Sequence, residues 1–306
     1  MIEAVLYGDP ACPWGYSAIP ALRTIEWRYG EQIQWSLVLI GLAEAAEQYE
    51  ARGFTPLWAA LAHMDFRRYG MPMAPHPKQR MSATARACRA VVAARILQPG
   101  AEWRVFRALQ LANFSTSLLL DDDDQIAEVL RAVPSLAAEA IVSRLDDPAV
   151  TAAYEADKAM AREAAGTAAE LQGKTATSDG PVRYTAPSVV FRRGDATLVA
   201  GGFQPAAAYD VLLANLDPGL DRRAVPETPE PLLERFPEGL TTQEVAALMA
   251  EGENPPDRRA AERALIELVA EGRAIRDPLG DDALWRVGAA AGAAERPALV
   301  AAASRM

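Results

Sequence analysis

Cysteine is nearly missing from this chain. Cys12 and Cys88 are the only two in 306 residues, which excludes a secreted disulfide scaffold and fits a chain with one working thiol. Histidine is as scarce: His63 and His76 stand apart, with no cysteine at ligand spacing, so the donor cluster that a zinc site needs is absent. No apolar run approaches the 18 or more residues of a membrane span. There is no glycine-rich phosphate loop and no nucleophile elbow, which removes the starting residues for most nucleotide and hydrolase chemistry. A net charge of −10 argues against a chain built to coat nucleic acid or anionic membrane. The opening MIEAVLYGDP carries no basic, signal-like segment, and a cytoplasmic protein with no membrane contact is expected.

What is present reads as a mixed α/β chain with more than one domain. Residues 2–7 and 34–40 are short apolar runs typical of buried parallel strands, with helical sequence at 15–30 between them, the outline of a βαβ unit. From 44 to 170 the strand signal gives way to segments rich in Ala, Arg, Leu and Glu, at 55–69, 82–97, 101–115, 123–131, 135–145 and 148–165. The acidic run Asp121–Asp124 suits a helix N-terminus better than a cation site. Strand-like sequence returns at 187–191 and 196–202, and a helix is expected at 205–216.

The chemistry concentrates in YGDPACPWGYSAIP, Tyr7 to Pro20. Cys12 stands where a strand turns into a helix, facing N–H groups that have no intrahelical partner; such a position lowers a thiol pKa from about 8.5 into the range of roughly 3.5–7.5. Pro13 suits the first helical position, and Trp14 offers an apolar platform beside the sulfur. From the residues alone, a reactive thiol and an inert buried one remain equally open.

Cys12-Pro13-Trp14, after Asp9-Pro10 and a strand, resembles the active-site turn of the DsbA superfamily of thioredoxin-fold oxidoreductases, in particular its FrnE-like and 2-hydroxychromene-2-carboxylate isomerase-like branch. The resemblance covers about residues 1–217. It implies a thioredoxin fold formed by 1–43 and 171–217, interrupted by an all-helical insertion at 44–170. It also implies a cis-proline, met here by TAPSVVF with Ala186-Pro187 as the cis pair, opposite the nucleophile and in contact with substrate. The departure is Gly15, where a dithiol enzyme has its second cysteine. A single cysteine implies resolution by an external low-molecular-weight thiol such as glutathione or mycothiol, with no tightly bound cofactor and a small-molecule or protein disulfide as partner. The rival is a thiol-cofactor-dependent isomerase or transferase, and a third reading is a non-catalytic sensor. Cys88 stands roughly where FrnE-like relatives carry a histidine over the active site; a core-filling role and a resolving role are both conceivable. Lys174, ahead of the proline, is a candidate contact for an anionic thiol peptide. The apolar stretch Trp58 to Met73 reads as core, with the Met71–Pro77 loop a candidate lining for the mouth of the thiol pocket.

After a proline-rich linker, 218–231, residues 232–288 outline a small winged-helix-like α+β domain: a capping box from Thr241 to Glu244, a second helix at 257–271 and a hairpin around Gly280–Asp281. A flexible tail is expected at 289–306. Residues 230–290 hold 13 acidic and seven basic residues, so DNA is not the expected partner. A homodimer is left open.

Overall fold

The computed structural model describes residues 1–178, 180–252 and 254–288; the tail expected at 289–306 lies outside the described residues. Among the described residues, nine strands form three sheets: β1 (Ile2–Gly8), β2 (Ile33–Leu39), β3 (Thr175–Ala176), β4 (Arg183–Tyr184), β5 (Ser188–Arg193), β6 (Ala196–Gly201), β7 (Leu240–Thr241), β8 (Ala274–Leu279) and β9 (Asp282–Val287). The main sheet has the order β2-β1-β5-β6, with β3 paired to β4 beside it. β1 runs parallel to β2, Leu6 opposite Leu37, and antiparallel to β5, Leu6 opposite Val189. β1 is central and covered on both faces, which accounts for its nearly continuous apolar run.

The helical sequence after β1 does not form one helix. It breaks at Ala18 into Pro13–Ser17 and Ile19–Tyr29, because Pro20 cannot donate to the preceding turn and is accommodated only at the start of a new helix. The insertion is helical throughout its main elements. Ala85–Leu97 and Glu102–Ser115 are buried on nearly all sides, as helices sandwiched between layers must be. They close the main apolar cluster over the sheet, joining Ile2, Leu6 and Leu37 to Val92, Phe106 and Leu109. The segments expected at 135–145 and 148–165 come out shorter, as Ala138–Val142 and Pro148–Ala161. Asp122 caps the helix Asp123–Arg131 by accepting from the Gln125 N–H at 3.1 Å, and Asp121 and Asp123 pair with Arg80 and Arg86. No group able to hold a metal occurs among the described residues, and no helix there is long and apolar enough to cross a membrane.

The segment expected as a free linker is irregular but tethered. The Trp27 indole donates to the Ala224 carbonyl at 3.0 Å, the Arg223 N–H to the Arg28 carbonyl at 2.8 Å, and Gln32 bonds the Asp221 backbone on both sides. Beyond it, helix Glu230–Arg235, β7, helices Thr242–Leu248 and Arg258–Ala270, and the hairpin β8–β9 build a sheet of order β7-β9-β8. They enclose their own apolar cluster around Leu232, Phe236, Leu265 and Trp285. This unit docks directly on the rest of the chain. Arg107 of the insertion meets Glu244 inside the seam. The tip of the β8–β9 hairpin presses on the backbone of Met73: Gly280 takes φ +57°, and a Cβ there would lie 3.1 Å from Met73 backbone atoms. Asp281 accepts the Met73 N–H at 2.8 Å and pairs with Arg67 at 2.8 Å. Met71 and Met73 are consequently buried with Tyr16, Phe114, Leu279 and Leu284, so this part of the loop is seam core and does not line a pocket mouth.

Candidate functional site

Cys12 is the residue just ahead of the helix Pro13–Ser17, with extended backbone (φ −82°, ψ 114°) and Pro13 at the first helical position. The turn is braced from within: the Asp9 carboxylate accepts the Ala11 N–H at 2.9 Å, and the Asp9 carbonyl accepts the Cys12 N–H at 3.2 Å. Across from it, the Ala186–Pro187 peptide bond is cis, immediately before β5. The sulfur of Cys12 donates to the Ala186 carbonyl at 3.1 Å, closing a contact over 174 residues of sequence. Cys12, Pro13, Trp14, Gly15, Ala186 and Pro187 thus form one locus.

The electrostatics of that locus correct the expectation of a lowered thiol pKa. Cys12 is only 6% exposed and packs with Tyr7, Ile40, Ala161, Tyr184 and Val190. Burial pushes its thiol up to about 12; the N–H groups of Gly15 and Trp14 and the Arg183 guanidinium act in the opposite direction without overcoming it, and the nearby Asp9 carboxyl adds to the rise. The resting group is a neutral thiol. Alkylation by iodoacetamide at pH 8, followed site by site by mass spectrometry, is therefore expected to be on the order of 10³-fold slower at Cys12 than in the urea-unfolded chain. The rate should still be climbing at pH 10. A plateau below pH 9 would show a thiolate at rest and contradict this geometry.

Cys88 belongs to a different apolar cluster from Cys12 and is joined to the thiol turn through Asp9. It is fully buried in the main core and donates its S–H to the Asp9 carboxylate at 3.6 Å; both cysteines are free thiols. Asp9, fully buried, is pushed upward by desolvation, against the N–H groups of Ala11 and Leu42, the Thr84 hydroxyl and the Cys88 thiol that donate to it. Lys174 is exposed and contributes through its backbone: its carbonyl accepts the Thr185 hydroxyl at 2.9 Å, two residues ahead of Pro187, while its stem lies over Gly201 and Gly202.

Asp9 and Trp14 are legible in the sequence, but two sets of their contacts are not. Asp9 joins the thiol turn, the Leu42 backbone and Cys88; its signal is an acidic residue directly after an apolar strand and three positions before the cysteine. The second is an aromatic cluster on the outer side of the turn. Trp14, 40% exposed, packs against Phe66 (4.8 Å), Tyr69 (5.5 Å) and Phe203 (5.6 Å). Phe203 follows a glycine pair and has no pattern to announce it.

Solved structures share this architecture. A disulfide-isomerase candidate from Nitrosomonas europaea aligns with a TM-score of 0.53 at 15% identity, covering 70% of this chain and 96% of its own. A probable DsbA oxidoreductase from Streptomyces coelicolor aligns with a TM-score of 0.54 at 18% identity, covering 74% and 94%. No curated protein matches the sequence. The DSBA-like thioredoxin domain is matched over residues 4–167, more than half of the chain and including the Cys12 turn and most of the helical insertion, so the chain belongs to the DSBA-like thioredoxin domain family.

Proposed function

We propose that this protein is a thiol–disulfide oxidoreductase of the FrnE-like branch that works through Cys12 alone and is resolved by an external low-molecular-weight thiol. The observation that carries this reading is the contact of the Cys12 sulfur with the carbonyl ahead of the cis Pro187, at a helix N-terminus. The resting thiol is neutral because it is buried and donates to Ala186. An extended substrate segment that hydrogen-bonds the Ala186 backbone competes for that carbonyl. Losing its acceptor destabilises the neutral thiol, and the sulfur then faces the Trp14 and Gly15 N–H groups. Its proton passes to solvent. The thiolate attacks one sulfur of the substrate disulfide; a Cys12–sulfur bond forms, the substrate S–S bond breaks, and the released thiolate takes up a proton. With glycine at 15 and Cys88 committed to Asp9, the mixed disulfide is attacked by glutathione or mycothiol, which leaves as a mixed disulfide and returns Cys12.

Incubation with oxidised glutathione, followed by peptide mass spectrometry, tests this. One adduct on Cys12 is expected, removed by excess reduced glutathione and absent from Cys12→Ser. Modification confined to Cys88, or none after prolonged incubation, would discard the reading. The aromatic cluster around Trp14 favours one alternative, a transferase or isomerase that holds a small thiol without forming a disulfide. Saturable binding of reduced glutathione to Cys12→Ser protein, with no adduct in the parent protein, would select it.

The order helix, β7, two helices, β8 and β9, with β9 between the other two strands, supports reading 230–287 as a winged-helix-like module. Its function here is packing or partner binding. The hairpin tip that would approach a DNA backbone is acidic and already engaged by Met73 and Arg67.

A further inference from the structure

Against the thiol turn at Gly15 lies a cavity of about 290 Å³ bounded by the helix Ile19–Tyr29, the helix Glu102–Ser115, Pro187 and residues of β1 and β2. Its walls are apolar, with Leu6, Ile19, Leu22, Trp35, Trp103 and Phe106 lining it. Polar residues interrupt them: Arg23, Glu26, Arg104, Arg107, Gln110 and Glu238, with the Trp35 indole N–H. The Gln110 side chain lines the space, and the residue is 3% exposed. The Trp35 indole N–H and the Arg107 Nε–H are buried without partners among the described residues, although the other two guanidinium nitrogens of Arg107 are taken by Glu244 and Gly239. At the mouth, Arg23 already occupies the carboxylates of Glu26 and Glu238.

Unpaired buried donors are costly, about 1–3 kcal/mol each, and a void without an occupant is normally apolar throughout. Two unpaired N–H donors, of Trp35 and Arg107, and the Gln110 amide, all on residues that wall one largely apolar chamber, call for an oxygen acceptor. We propose that this cavity is a binding site for a small molecule with a flat, apolar body and one oxygen acceptor, of the aromatic carboxylate class, held by Trp35, Arg107 and Gln110. Gly15 forms part of the wall: a Cβ built there would lie 3.6 Å from the Cys12 Cβ and 3.9 Å from the Gln110 amide nitrogen. The occupant therefore sits one residue's thickness from the thiol turn. Pro187 also lines the cavity, so the site shares a wall with the thiol locus; Cys12 itself does not line it, and binding there needs no thiol chemistry.

Calorimetric titration of the full chain, and of Cys12→Ser, with benzoate, 2-naphthoate and indole-3-acetate tests it, with 2-methylnaphthalene as the shape control lacking oxygen. At least one carboxylate should bind one-to-one and alike in both proteins, with quenching of tryptophan emission. The control should bind at least tenfold more weakly. Trp35→Phe keeps an aromatic ring and loses the N–H, and Gln110→Leu keeps the volume; each should weaken binding about fivefold or more, with far-ultraviolet circular dichroism unchanged. Leu22→Trp, which fills the chamber, should abolish binding. Absence of saturable binding by all three carboxylates would show a solvent-filled void and overturn the proposal. So would binding that Trp35→Phe and Gln110→Leu leave unchanged, or equal affinity for 2-methylnaphthalene.

Discussion

Arg107→Leu is expected to destabilise the protein by about 3–5 kcal/mol, read as a lower urea midpoint at constant m-value. Arg107 and Glu244 are 7% and 0% exposed at their side chains and meet in two parallel bonds of 2.7 and 2.8 Å. The leucine would leave a carboxylate sealed in the seam between the insertion and the C-terminal unit, where water cannot solvate it. Arg23, 3.7 Å away, and the Thr241 N–H, at 2.8 Å, compensate only in part. Glu244→Gln in the same background removes the stranded charge and should recover part of the loss; a loss below about 1 kcal/mol in the single variant would mean that the pair is idle. The pH response has a definite sign. Burial alone would raise the Glu244 pKa, but Arg107, Arg23 and the Thr241 N–H outweigh it and hold the folded value below the ordinary one. A depressed folded pKa contributes stability above the unfolded value of about 4.3, and that contribution disappears as pH falls through the folded value. Acid unfolding of the parent chain should therefore be steeper below pH 4 than that of the double variant.

The same seam marks the boundary of what the residues disclose by themselves. The strands β1, β2, β5 and β6 stand out because each is a short apolar run bounded by turn residues, and the Thr241–Glu244 capping box is a local signal read over four positions. Cys12 and Pro187 can be paired only through a resemblance, since the contact of Cys12 with Ala186 spans 174 residues. The protonation of Cys12 is misleading in the sequence for a related reason. The helix N-terminus is a local feature, but the burial that overrides it comes from Tyr184, Ala161 and Ala169, which no motif around position 12 announces. Met71 and Met73 read as core from their apolar character and are buried, but what covers them is not local: a hairpin tip about 200 residues later lands on the Met73 backbone. Gln110 sits in a helix whose apolar surroundings make any one polar residue look incidental, and only its place on the cavity wall distinguishes it.

Gly15→Cys is expected to convert the protein from a chain that accumulates a glutathione adduct into one that forms an internal disulfide between Cys12 and the introduced thiol. Gly15 is not among the glycines held at positive φ, so a side chain is tolerated by the backbone. The Cβ position there is 3.6 Å from the Cys12 Cβ, inside the range of roughly 3.5–4.5 Å that a disulfide needs. The nearest other neighbour, the Gln110 amide nitrogen at 3.9 Å, is at ordinary contact distance. A resolving thiol held at that separation competes with millimolar glutathione at a far higher effective concentration, so release of the mixed disulfide should accelerate about 10²-fold or more. Stopped-flow reduction of a glutathionylated substrate and mass spectrometry of the quenched protein give the two readouts: the Cys12 adduct vanishes, and a species two hydrogens lighter than the dithiol replaces it. Gly15→Ala is the control, keeping the adduct and the slow, thiol-dependent release. If Gly15→Cys retained the adduct at the parental rate, the sulfur of Cys12 would not face position 15 during turnover, and glycine there could not be what makes this site depend on an external thiol.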